Sequence, residues 1–246
     1  MTIPEPSDFA QHIHAVASER MLSDGVVHPM LFLGEVGKAM LIVPVHHLMQ
    51  NDQTKDVLSL LPAYLGLLRG GLDFVSLISE SWLMNIPAVE REFGKELTEN
   101  PLFVRGMVSK YGGVSFLPPH LKKEVVTASI DIANDRYFTA WSIHRDASDK
   151  PSLAKYDSFE LEKTENSSGR LIGMLTRYYK LKAAFDELSV VMKKETGEAL
   201  TLEFLARTLS KIEKTDAHVN AYALASTLLS SLPPEMGQST TPSSMQ

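Results

Sequence analysis

The sequence contains no cysteine. That single absence excludes disulfides, thiolate zinc sites, iron–sulfur clusters and cysteine nucleophiles. Long apolar runs are missing too. Stretches such as Met30–Leu33 and Met40–Val45 fall far short of the roughly 20 residues that span a bilayer. No charged-then-apolar leader pattern opens the chain. Together these features lead us to expect a cytoplasmic protein without membrane contact. No basic stripe is evident either. The net charge is −6; residues 173–246 hold 8 basic and 8 acidic residues, and residues 1–172 hold 16 and 22. Nucleic-acid binding by phosphate neutralisation is therefore disfavoured.

Catalytic and cofactor signatures are also lacking. "SES" (79–81) has none of the glycines of a nucleophile elbow. "KYGGVSF" (110–116) lacks the Lys-Ser/Thr ending of a phosphate loop. No H-E-x-x-H spacing occurs. No cofactor is expected.

What is present is a globular composition, with 44% hydrophobic and 22% charged residues, enough apolar material for a core. Residues 8–21 read as a helix, with Ser7 or Asp8 as cap and Phe9, Ile13, Val16 and Ala17 on one face. Two short apolar runs, 26–33 and 38–45, joined by "GEVG", read as a β-hairpin. A helix over 53–69 follows, with Asp52 as cap and Pro62 as a place for a kink. Residues 72–84 read as a strand. A short helix starting near Asn85 leads into residues 98–120, which look like a loop, either a lid or a connection. The stretch 124–146 is a second hairpin, because Val126, Ala128, Ile130 and Ile132 alternate with polar positions. Residues 158–173 offer another strand pair around "ENSSG". From about 174 the period becomes helical. Three helices are expected, with Thr201 capping the second, and then a disordered polar tail.

The expected architecture is therefore α+β. A single mixed β-sheet (hairpin, β-α-β unit, second hairpin) with flanking helices occupies residues 1–172. A helical C-terminal segment, 173–232, packs on it, and 233–246 is the disordered tail. The order of elements, with its strand ending in "SESW", resembles that of small bacterial and phage proteins. The resemblance implies no activity.

One stretch invites a chemical question: "LIVPVHHLM" (41–49) ends an apolar strand on two histidines. A β-α-β unit spanning 38–80 would be right-handed, with parallel strands ending on one edge of the sheet. His46, His47 and Glu80 would then meet there, and the hairpin would add His28. Imidazole suits both metal binding and proton transfer near neutral pH. The plainer alternative is a set of solvated polar residues at strand ends. Adjacent residues on a regular strand face opposite sides, so His46 and His47 would not both serve one ion. The missing catalytic motifs, with a helical end able to offer an apolar face, point to a non-enzymatic interaction or regulatory protein. It would act by binding another protein, or by self-association through the C-terminal helices. The alternative is a hydrolase using His28, His46, His47 and Glu80, with or without a metal.

Overall fold

The computed structural model describes residues 5–36, 38–132, 135–154, 162–163, 171 and 173–232. The expected strand pair around "ENSSG" and the expected tail fall largely outside these residues, apart from Glu162–Lys163.

The first helix, α1 (Pro6–Asp24), starts on a proline in its first turn and ends at Gly25, whose φ is 72°. Proline is at home there because its missing N–H would be unpaired anyway, and the left-handed stop suits glycine. Phe9, Ala10, Ile13, Ala17 and Met21 form its buried face. β1 (Met30–Gly34) and β2 (Leu41–Pro44) make the expected hairpin, with Met30 opposite Pro44. All five residues of β1 are buried, whereas β2 alternates buried and exposed. The main helix α2 (Asp52–Arg69) is capped one residue before Asp52, where the Asn51 side chain accepts from Thr54 N–H and the Thr54 hydroxyl accepts from Asn51 N–H. This reciprocal pair satisfies two amides that the helix leaves free. Pro62 lies inside α2, which continues to Arg69.

β3 (Phe74–Met84) leads into an insert that corrects the expectation of a loop at 98–120. It contains α3 (Ile86–Phe93), α4 (Lys95–Thr98) and α5 (Pro101–Tyr111). Asn100 caps α5 by accepting from Leu102 N–H, and Pro101 holds its first position. Ala88, Val89, Met107, Leu117 and Leu121 give the insert a small core of its own. The chain returns through β4 (Lys122–Ile132) and β5 (Asp135–Arg145), then β6 (Pro151–Leu153) and β7 (Glu162–Lys163). Three helices close the fold: α6 (Met174–Thr196), α7 (Leu202–Glu213) and α8 (Ala217–Ser230). Thr201 caps α7 as expected, accepting from Phe204 N–H.

The fold is α+β, with one sheet in the order β2-β1-β3-β4-β5-β6 and β7 beside β5. Every pairing between described strands is antiparallel, so the sheet is not mixed. β2 and β3 do run the same way, as a β-α-β unit requires, but β1 lies between them. The reason is burial. A strand covered on both faces belongs inside the sheet, and β2, with alternate residues in water, takes the edge. The shared direction still brings the ends of β2 and β3 to one edge.

Each face of the sheet is covered. Phe32, Phe74, Ile78, Val126, Ile130 and Trp141 pack with α1. Leu31, Leu33, Val75 and Leu77 pack with Leu58, Leu61, Tyr64 and Leu65 of α2, and this core runs on into Tyr178, Leu181, Leu205 and Ala221. Gly66 lets α6 approach α2: a Cβ there would lie 2.8 Å from Leu72 and 2.9 Å from Tyr178. Ala217, Ala221 and Ala225 make the buried face of α8. Small side chains there allow a short interaxial distance.

Candidate functional site

Three of the four candidate residues come together. His28 precedes β1, while His46 and His47 lie on the 3-10 turn (His46–Met49) that follows β2. The His28 and His46 rings are 5.9 Å apart between centroids, and His46 and His47 are 5.6 Å apart. The expectation that two adjacent histidines would face opposite ways fails because they sit on a turn rather than a strand. All three are exposed.

Glu80 is placed next to them and engaged elsewhere. Its Oε1 accepts from Val27 N–H at 2.7 Å, so the carboxylate pins the residue before His28. Beyond it, Arg145 is bonded to Glu124 at 3.1 Å; that carboxylate first, and the Asp149 and Glu80 charges less, hold the guanidinium above its ordinary pKa. His120, on the turn just before β4, bonds Glu92 of α3 at 2.8 Å. Among the described residues, no three of His, Asp and Glu are placed to hold one metal ion.

A second polar constellation was not singled out in the sequence. The Tyr64 hydroxyl lies 2.9 Å from His218 Nδ1, and His218 Nε2 lies 3.2 Å from Glu213. A neutral imidazole satisfies both contacts, accepting from the phenol at Nδ1 and donating from Nε2 to the carboxylate. Tyr64 is fully buried and His218 nearly so. Burial first, and then the Glu213 charge, hold the phenol well above its ordinary pKa. Tyr64 is thus a standing donor rather than a nucleophile. His218 and Glu213 line a cleft of ≈ 570 Å³ with Arg177, Lys180, Leu209 and Asp56. Burial lowers the Arg177 pKa, while the Asp131 charge opposes the shift. Asp131 itself is raised by burial, against the N–H of Leu175 that it accepts at 3.1 Å. The sequence did hold one signal: His218 shares the stripe of Ala221 and Ala225. A polar ring on a buried helix face requires a partner.

Apolar surface is the third feature. In α6, Met174, Tyr178, Leu181, Phe185, Leu188 and Met192 recur at alternating steps of four and three. Only the first three of that stripe are buried. The remaining turns reach about 22 Å further at 1.5 Å per residue. There Leu188 is 43% exposed, Val190 70% and Val191 47%; on α7, Phe204 and Ile212 are similarly bare.

The chain matches no protein-family model, and comparisons with curated proteins and with solved structures return no match. No described helix is long and apolar enough to cross a membrane.

Proposed function

We propose that this protein acts without catalysis, by binding another protein through the arm formed by the second half of α6 and by α7. One observation carries this reading. The α6 stripe stays in register past the point where α2 stops covering it, and its continuation, Leu188, stands in water. A stripe repeating at alternating three and four residues is what a second helix packs against. A soluble surface keeps such a patch where a partner covers it.

The test is the double substitution Leu188→Glu with Val191→Glu in the full chain. Light scattering and affinity capture are compared with the original protein, and circular dichroism checks that α6 persists. Loss of self-association or of captured partners is expected. Unchanged mass and unchanged partners would refute the reading.

The three converging imidazoles support a second reading, a hydrolase that uses His28, His46 or His47 as general acid or base. Model esters and phosphoesters are its test, with His46→Ala and His47→Ala alongside. Elemental analysis of untagged protein reports any metal. No turnover by the original protein, or turnover that survives both substitutions, rules it out.

A further inference from the structure

We propose that the α3–α5 insert is a docking surface for an acidic, apolar-anchored peptide segment of a partner protein. It is separate from the α6–α7 arm. The insert grows from the Met84–Lys122 end of the β3–β4 ladder, whereas α6 starts beside Asp131 near the Phe74–Ile132 end.

The first argument is charge. In a chain of net charge −6, residues 100–123 contain Arg105, Lys110, Lys122 and Lys123 and no acidic residue. This segment is +4, so the rest of the chain sums to −10. Arg105, Lys110 and Lys123 are exposed, and neither Arg105 nor Lys110 pairs with a carboxylate among the described residues. Lys122 sits 4.4 Å from the centre of the Trp82 ring and donates to the Ser115 carbonyl, which brings it beside the end of α5. The insert's four acids lie on α3 and α4 or just after it, and two are already paired, Glu92 with His120 and Glu99 with Lys95.

The second argument is shape and apolar exposure. Met107 is the one buried residue of α5. Leu102 is 78% exposed, Phe116 71% and Tyr111 39%. Leu102, Gly106 and Lys110 follow one another at four-residue steps along one side of α5. With Phe93, Phe103, Met107 and Tyr111 they line a recess of ≈ 350 Å³. Gly106 keeps this side of α5 open, since a Cβ there would meet nothing within 4 Å. Phe116 adds a further exposed ring beside the Gly112–Gly113 turn that ends α5.

An apolar recess beside unpaired cations fits a helical peptide whose leucines or aromatics enter the recess while its carboxylates face Arg105 and Lys110. A membrane surface fits less well, because interfacial binding uses a projecting apolar face rather than a recess. A nucleic acid fits less well, because the most exposed groups are aliphatic and aromatic hydrocarbon rather than a row of cations.

The experiment pans a random peptide library against the full chain and measures individual binders by fluorescence anisotropy. Expected binders are rich in Asp and Glu, with Leu, Phe or Trp at helical spacing, and bind more weakly as salt rises. Leu102→Asp and the pair Arg105→Glu, Lys110→Glu should each weaken them by about tenfold or more. Gly106→Leu should do the same with melting temperature kept or raised, because leucine fills the recess and is the better helix former. Leu188→Glu should leave these peptides bound, which separates this surface from the α6 arm. Binders without net negative charge, or equal affinity for Gly106→Leu, would overturn the proposal. So would an absence of binders, whether or not the protein sediments with phosphatidylserine vesicles or shifts single-stranded DNA.

Discussion

The Tyr64 hydroxyl and His218 Nδ1 lie 2.9 Å apart, joining α2 to α8 across 154 positions of the chain. The contact is buried at both ends, so its loss leaves a ring nitrogen without water to replace the phenol. Tyr64→Phe keeps the edge-on contact with Tyr222 and removes only the oxygen. We expect a loss of about 1–3 kcal/mol. Urea denaturation should show a lower midpoint with an unchanged slope.

The same phenol makes stability fall in alkali. Its folded pKa is raised above the ordinary value of 10.0, and those of Tyr178 and Tyr179 are raised too. Once pH passes the unfolded value, the unfolded chain releases protons that the folded chain keeps, and stability drops as pH rises further. Below that value the contribution is constant. Denaturation midpoints from pH 8 to 11 should therefore decline beyond about pH 10, and less steeply in Tyr64→Phe. An identical decline in the two proteins would show that Tyr64 keeps an ordinary pKa.

Two helical glycines should respond with opposite signs. Gly66→Ala drives a Cβ to within 2.8 Å of Leu72 and 2.9 Å of Tyr178, and overpacking of this kind costs about 1–3 kcal/mol. Gly106→Ala meets nothing and gains helix propensity, about 0.5–1 kcal/mol. Thermal melts of the two variants check both signs at once.

Asn51→Ala removes the acceptor for Thr54 N–H at the start of α2. A cost near 1 kcal/mol is expected, read as a lower urea midpoint. Asp52→Ala should cost less, since Asn51 rather than Asp52 makes the cap. That order contradicts the cap assigned from the sequence.

Most of the elements were legible, because hydrophobic period and turn chemistry are local. The 26–45 hairpin, the strand at 72–84, the 124–146 hairpin and the three late helices each announced themselves this way. Which strand lies beside which is not local. The rule that a crossover makes parallel strands held for direction, but nothing within 38–80 says that β1 will enter between β2 and β3. The fully apolar "MLFL" of β1 was the available hint that it would be inside. α5 was missed because Gly106 and the Gly112–Gly113 pair look like loop, although Asn100-Pro101 is a cap followed by a first-turn proline. The histidine convergence was legible through direction alone. The Tyr64–His218 contact was not, since it depends on how α8 packs.

The placement of β1 between β2 and β3 has a consequence for synthesis. As the chain emerges, β1 can pair with β2 after a few more residues, but its other edge waits for β3, some 40 residues later. During that interval a wholly apolar strand shows an open row of N–H and C=O groups, the situation that invites pairing with another chain. The nascent hairpin thus needs shielding until β3 arrives, and α1, already made and bearing Phe9 and Ile13, is the earlier described helix that covers one side of it.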